Sequence, residues 1–333
     1  MAYCTGGPNL ARIERSGVHL HELTSTGNHD PALAWKVFQI VRRLQPDVVQ
    51  TWLLQMDILG GAAALFNRIP LVISERSAGE LYTPTWKTRL RRAMGGHAAC
   101  IVANSGGGIE YWRPYVRASR LMLVRNCVEV AVAPASAPTE SPAAHAHRPG
   151  SPLVLFAGRF NAEKNVSVLV DAFIILARSM PKVVIAMLGD GPERESTMRK
   201  IEVAGLAGQI LVPGYSAELP AWIQRAAVCV SVSCFEGHPN VVLEAAAGGC
   251  PLVLSDIPAH REIFDENSVS LVAADSPASI ADSITDTLLR PDDARRRAAR
   301  AQLIVAKWDT PSLVAAYKSI YLHLAEKRSA DST

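Results

Sequence analysis

Ser231-Val232-Ser233-Cys234-Phe235-Glu236-Gly237-His238-Pro239-Asn240-Val241-Val242-Leu243-Glu244-Ala245 is the stretch around which the rest of the chain is organised. Residues 228–233 form a short run of strand character that empties into a loop holding a carboxylate, a glycine and a proline. A helix is expected to begin near Pro239, because a residue without an N–H suits a first turn. The free N–H groups of that turn point at whatever lies in front of them and favour anions. Glu236 precedes the helix and Glu244 lies inside it, so the two acids are placed to flank one polar ligand. Acids beside an anion-attracting helix end suit a ligand with both hydroxyls and phosphates, and a sugar nucleotide is such a ligand. Taken alone, a Glu at a strand end and a Glu on a helix are also ordinary surface residues.

The length of 333 residues suggests two domains, and 49% hydrophobic with 20% charged residues is an ordinary globular balance, ample for two cores. A net charge of +3 is too small to argue for a nucleic-acid partner. Its distribution says more: residues 1–150 carry 16 basic against 10 acidic side chains, and residues 151–333 carry 18 against 21. A basic first half suits an anionic membrane or acceptor, and equally an uneven but inert surface. The six cysteines show no Cys-x-x-Cys pair and no metal spacing with histidine. Cys100 and Cys229 sit in apolar runs, where a thiol behaves as a small hydrophobe, so a reducing compartment is expected. With no membrane-length apolar run and no signal peptide, the expected place is the cytoplasm, with a peripheral contact at the inner face of a membrane as a further expectation.

Residues 1–130 read as strands alternating with helices. Strands are expected at 18–23, 48–51, 71–73, 99–103 and 121–124, with helices at 31–44, 60–67 and 85–94 and another capped by Ser105. The basic helix over 86–94 is the element proposed to touch lipid, with a solvated helix face as the alternative. Residues 131–150, rich in Pro, Ala and Ser, read as a linker that cannot bury a core; His145 and His147 lie in it without a metal partner. From 151 to 308 a second series offers strands at 153–156, 183–188, 210–212, 228–231, 252–255 and 270–273. Residues 309–333 hold a closing amphipathic helix. Strands alternating with helices argue for α/β domains with parallel sheets covered on both faces.

Phe156-Ala157-Gly158-Arg159-Phe160 ends a strand, and Glu163-Lys164-Asn165 stands at the next helix. Cations at a helix start oppose the helix dipole, which favours a functional reading: Arg159 and Lys164 together reach one diphosphate, Arg by planar contacts and Lys as a point charge. Gly189-Asp190-Gly191-Pro192 follows a buried strand and reads as a sharp turn. Tyr215, after Val212-Pro213-Gly214, is read as a packing residue with a base contact as the alternative.

The order Glu-Gly-x-Pro-Asn-x-x-x-Glu-Ala over residues 236–245 resembles the Glu-x7-Glu signature of the retaining glycosyltransferases of family 4, which have the GT-B fold. Gly-Arg-Phe with Glu-Lys-Asn resembles the donor-phosphate site of that family, and Pro46-Asp47-Val48-Val49-Gln50-Thr51, Ala103-Asn104-Ser105 and Arg125-Asn126-Cys127-Val128-Glu129 resemble its first-domain segments. The resemblance covers roughly residues 18–325 and is strongest from 153 to 265. It implies a GT-B-like α/β fold: two Rossmann-like parallel-sheet domains facing a cleft, the N-terminal one incomplete. Members open with a glycine-rich loop after a first strand, and Gly6-Gly7 follows no hydrophobic strand. Where some members carry a His, this chain has Ser74-Glu75-Arg76-Ser77; a mutual Glu75–Arg76 salt bridge is the expected arrangement, with a hydrogen bond from Glu75 or Arg76 to the sugar or acceptor as the alternative.

The resemblance implies that Arg159 and Lys164 contact the donor phosphates, that Glu236 lies on the sugar side and that Glu244 binds ribose hydroxyls. Gly158, Gly237, His238, Pro239, Asn240 and Val241 complete the donor-binding set through their backbones. The implied reaction moves a hexosyl unit from a nucleotide-diphosphate sugar, UDP-linked in many members, to a saccharide or lipid-linked saccharide hydroxyl, as in polysaccharide biosynthesis. No metal and no other cofactor is expected, since two cations supply the charge and no Asp-x-Asp is present. The alternatives are a non-catalytic nucleotide-sugar-binding protein or fragment, and a UDP-sugar epimerase of similar fold, which needs acid/base groups that the sequence does not display.

Overall fold

In the computed structural model, which describes residues 1–3, 10–23, 30–77, 79, 82–128 and 150–331, the chain divides into two units. Met1–Val124 with Val314–Thr333 forms the first and Arg125–Leu313 the second. Most of the proposed linker at 131–150 lies outside the described residues, as does Gly6-Gly7.

The first unit opens with β1 (Ala2–Tyr3), α1 (Leu10–Glu14) and β2 (His21–Glu22), the two strands pairing parallel. The strand expected over 18–23 is therefore only two residues long, and Val18 is exposed. Helix α2 (Pro31–Leu44) is capped by Asp30, whose carboxylate accepts from the Ala32 N–H, and it buries Leu33, Val37 and Val41 at four-residue spacing. There follow β3 (Val49–Trp52), α3 (Leu54–Phe66), β4 (Leu71–Glu75), α4 (Trp86–His97), β5 (Cys100–Ala103), α5 (Gly106–Trp112) and β6 (Leu121–Leu123). The four strands β3 to β6 lie side by side in chain order, all parallel. Helix α3 begins six residues before the position expected from its small residues, because Leu54 to Leu59 already pack helically.

Inside this unit Arg91 of α4 is fully buried. Its Nε lies 2.7 Å from Asp57 Oδ2 and its Nη1 2.8 Å from Glu75 Oε2. Trp112 Nε1 donates to the same Glu75 oxygen at 3.0 Å, and the Tyr82 hydroxyl donates to Glu75 Oε1 at 2.7 Å. The guanidinium also lies over the rings of Tyr82 and Trp112, at 4.5 and 4.8 Å. Two expectations change accordingly. Glu75 faces the interior and is spent on Arg91 rather than on its neighbour, since successive strand residues point to opposite faces; Arg76 donates instead to the Tyr317 hydroxyl. The basic surface of α4 also loses Arg91 to the interior, leaving Trp86 and Arg89 among its exposed residues.

The second unit shows why its strands read as unbroken apolar runs. It contains β7 (Leu153–Ala157), α6 (Val166–Ser179), β8 (Val184–Leu188), α7 (Arg194–Val203), β9 (Ile210–Gly214), α8 (Leu219–Arg225), β10 (Val228–Ser231), α9 (Asn240–Ala247), β11 (Leu252–Ser255), α10 (Pro258–Arg261), β12 (Ser270–Val272), α11 (Pro277–Leu289), α12 (Pro291–Val305) and the start of α13 (Thr310–Asp331). Six parallel strands lie in the order β12-β11-β10-β7-β8-β9. Leu153 and Leu155 face one core, with Trp222, Leu243 and Phe264, and Val154 and Phe156 face the other, with Leu169, Phe173 and Ile280. Both sides of the pleat are therefore buried under helices.

Two neighbours of β7 run to opposite sides of the sheet: the chain proceeds outward through β8 and β9, then returns to place β10 on the other edge of β7. The loops that leave β7 and β10 diverge in sequence and adjoin in space, which is where open α/β sheets hold their ligands.

Replacing Arg91 by Met keeps volume but strands two buried carboxylates. The expected loss of stability is about 3–5 kcal/mol, read from urea unfolding of the purified protein.

Candidate functional site at the switch point of the second sheet

Arg159, Lys164, Glu236 and residues 237–241 stand on the loops after β7 and β10 or at the start of α9, and Glu244 lies within α9; Tyr215, expected to pack, is instead 69% exposed after β9. The β7 loop is held against the β8 loop by backbone bonds: Gly158 N–H to Leu188 O at 3.0 Å and Phe160 N–H to Asp190 O at 2.9 Å. Glycine is required for this approach. Gly189 has φ +127°, and a Cβ there would lie 1.9 Å from the Gly158 carbonyl oxygen; Gly191 has φ +153°, and its Cβ would lie 2.4 Å from the Phe160 oxygen. The Gly-Asp-Gly-Pro turn is thus the spacer that lets two strand-end loops touch.

Asn161 caps the single turn Ala162–Lys164, accepting from the Lys164 N–H at 3.1 Å. Asn165 follows in the left-handed region at φ 56°, a conformation asparagine tolerates better than most residues. Its side-chain amide donates to Val232 O and to Ala274 O, at 3.2 and 2.6 Å, tying the β7 loop to those after β10 and β12. The Cys234 N–H donates to Glu163 O at 2.9 Å. These bonds bring Lys164 to Glu236: Nζ lies 2.5 Å from Oε1, with the Glu236 side chain 7% exposed. Ser233 Oγ donates to the same carboxylate oxygen at 2.7 Å. Arg159, five residues before Lys164 on the same loop, is exposed.

Helix α9 begins at Asn240, one residue later than its proline, and Pro239 at the cap position makes no side-chain cap bond. Its first N–H groups therefore remain for other acceptors. Glu244 sits in its second turn, half-buried, and burial pushes its carboxyl above the usual range. Among the described residues no cation pairs with it, which leaves a desolvated acceptor suited to hydroxyl donors. The side chain of His238 points elsewhere. Its Nδ1 accepts from the Asn126 N–H at 3.2 Å, its ring meets Trp308 edge-on at 5.1 Å, and Asn126 Nδ2 donates to His238 O and Asn240 Oδ1.

Asn161, Ser255 and His260 escaped the sequence reading, while Asn165 and Ser233 stood in quoted motifs without a role of their own; the two asparagines shape the β7 loop, and Ser233, Ser255 and His260 lie beneath Glu236. The asparagines carried a visible signal, a capping residue and a left-handed candidate flanking one short turn. The buried Ser and His carried none, since they come together only through strand order. His260 is fully buried, with Nδ1 2.8 Å from Ser255 O. Burial lowers its pKa from the ordinary 6.5 more than the Ser255 carbonyl raises it.

The family described as Glycosyltransferase Family 4 matches residues 2–132, and the one described as Glycosyl transferases group 1 matches residues 151–290. The glycogen synthase of Mycobacterium tuberculosis is 29% identical over 209 residues, 61% of this chain and 49% of that protein. The D-inositol 3-phosphate glycosyltransferase of Paenarthrobacter aurescens is 35% identical over 146 residues, 42% of this chain and 36% of that protein. The matched parts thus span about half or less of these curated relatives. The crystal structure of Anabaena HepE in complex with UDP and glucose superimposes with a TM-score of 0.83 at 19% identity, covering 99% of this chain and 91% of that one. The fold is accordingly α/β and GT-B-like.

Two outcomes follow from the loop geometry. Gly189→Ala, which combines a positive φ with a backbone clash, is expected to cost at least about 1–3 kcal/mol in urea unfolding. Because His260 titrates lower in the folded chain than in the unfolded one, the unfolded state alone takes up a proton below about pH 6.5. Stability is therefore expected to fall as pH drops through that value, and the part of this slope due to His260 to vanish in His260→Asn, measured by unfolding between pH 7.5 and 5, a range centred about the ordinary histidine pKa.

Proposed function

The chain belongs to glycosyltransferase family 4, and from that premise we propose that it moves a sugar from a nucleotide-diphosphate donor to a hydroxyl of a saccharide or lipid-linked saccharide, with retention at the anomeric carbon. One observation carries this reading: across the switch point of the second sheet, Lys164 Nζ meets Glu236 Oε1 at 2.5 Å, with Arg159 on the same loop as Lys164. A cation and an acid from two different strand-end loops share one place.

In the proposed reaction the bond between the sugar and the diphosphate breaks. Negative charge gathers on the departing diphosphate and positive character on the ring. Arg159, Lys164 and the uncapped start of α9 stabilise the first, and Glu236 stabilises the second. Lys164 sits beside the Glu236 carboxylate before any donor arrives. The pair is therefore already organised, and the arriving diphosphate adds a second anion to a lysine whose position is fixed. Glu244, half-buried and with no cation partner among the described residues, takes the ribose hydroxyls. Gly158, Gly237, Pro239 and Val241 contribute backbone only.

The proposal includes metal-independent transfer of a hexosyl unit, with Arg159 and Lys164 supplying the charge that a divalent ion would otherwise supply. It also includes a cytoplasmic place with a peripheral contact at a lipid surface through exposed Trp86 and Arg89. Among the described residues no helix is long and apolar enough to cross a membrane.

Calorimetric titration with a panel of nucleotide-diphosphate sugars tests the donor site. One donor is expected to bind, and Arg159→Ala and Lys164→Ala are each expected to weaken it about 10–100-fold, the loss of one charge-assisted contact. Equal affinity in the variants would falsify the phosphate assignment. Turnover that requires an acceptor extract and persists in a chelator is expected; product from donor alone would instead support an epimerase, and binding without turnover a non-catalytic carrier.

A further inference from the structure

Beneath the Lys164–Glu236 pair lies a run of buried polar groups that the reading above leaves without a task. It starts at His260, on the short helix α10 that follows β11. The Nδ1 atom of His260 lies 2.8 Å from the Ser255 carbonyl oxygen and 3.3 Å from Ser255 Oγ. A carbonyl oxygen only accepts, so Nδ1 carries the proton and Nε2 carries the lone pair. Ser255 Oγ then donates to Ser233 O at 2.7 Å, across from β11 to the end of β10. Ser233 Oγ donates to Glu236 Oε1 at 2.7 Å, and that oxygen also receives Lys164 Nζ.

The burial along this run is nearly complete: His260 0%, Ser255 0% and Ser233 1% exposed. Buried hydroxyls and imidazoles cost desolvation free energy that an apolar corner would not. Among the described residues His260 Nε2 has no hydrogen-bond partner, so the ring is kept at a further cost. Two hydrogen bonds converge on one Glu236 oxygen, which fixes the carboxylate and leaves the other oxygen for a ligand.

We propose that His260 is a positioning residue that sets the Glu236 carboxylate, acting through Ser255 and Ser233. This rests on the assignment of Glu236 to the donor site. His260 holds the end of β11, Ser255 holds the Ser233 carbonyl, and the Ser233 hydroxyl is thereby aimed at Glu236. A displacement of that loop by about 1 Å is enough to cost two orders of magnitude in rate.

The test is a double-mutant cycle of His260→Ala with Glu236→Gln, with His260→Asn as the conservative variant that retains a donor near the Nδ1 position. His260→Ala is expected to lower kcat about 10–100-fold while the donor KM changes less than about threefold. His260→Asn is expected to recover most of the loss. In the Glu236→Gln background His260→Ala is expected to cost less than about twofold, because the group it positions is already impaired. An equal loss in both backgrounds, or a loss that only tracks the folded fraction, overturns the proposal. Should His260→Ala fail to fold, Ser255→Ala cuts the same run between Ser255 and Ser233 while leaving the His260 bond to the Ser255 carbonyl, and serves in the same cycle. A wild-type chain that turns over no donor sinks the transferase reading, and the cycle is then read from urea unfolding without ligand. Non-additive midpoints for His260 and Glu236 support the positioning, and additive midpoints contradict it.

Discussion

The adjacency of β7 and β10 is the constraint on which the rest depends. These strands are separated by two strand-helix units in sequence, yet they pair directly in the sheet. Because the chain first runs outward from β7 and later returns to its other edge, the loops above this pair lead away to different helices. The space between them is where Lys164 from one loop and Glu236 from the other come to 2.5 Å. Had β10 paired elsewhere, the same two side chains would have stood strands apart.

Holding a carboxylate that is 7% exposed requires compensation, and here it comes from a lysine and a serine on one oxygen. The first unit contains a comparable cluster, with Arg91 between Asp57 and Glu75, but its surroundings differ. Arg91 is sealed under Tyr82 and Trp112 and its partners are fully buried, so it serves the core of that unit. Lys164 keeps 22% of its side chain exposed and shares its loop with exposed Arg159, and its partner Glu236 precedes the start of α9 on the same loop. Charge that remains reachable, next to unspent N–H groups, is charge that a ligand can use.

Much of this was legible from residues alone. Strands β10 and β11 end where the apolar runs end, and β7 and β8 differ from expectation by one residue, because their hydrophobic stretches are bounded by glycine, proline or polar turns. The loops after β7 and β10 were recognisable because Arg159 and Lys164 lead into a helix start, where cations oppose the helix dipole, and because Glu236 and Glu244 flank a helix tip in a motif that resembles a known family. What the residues could not convey were pairings between distant segments. Glu75 was expected to bond Arg76, its neighbour in sequence, whereas its partner Arg91 is brought in by α4. The link from His260 to Ser233 through Ser255 likewise exists only because β11 lies beside β10. Sequence-local signals such as caps, turns and periodicity were readable, and sheet order supplied the remainder.

The account's central claim is that a diphosphate rests between the β7 loop and the start of α9. A crystal structure of the protein soaked with UDP tests it most directly. The phosphates should lie within hydrogen-bond reach of Lys164 Nζ and the Arg159 guanidinium, with the ribose hydroxyls on Glu244. Density for the nucleotide at any other place, with those side chains unchanged and uncontacted, would contradict it.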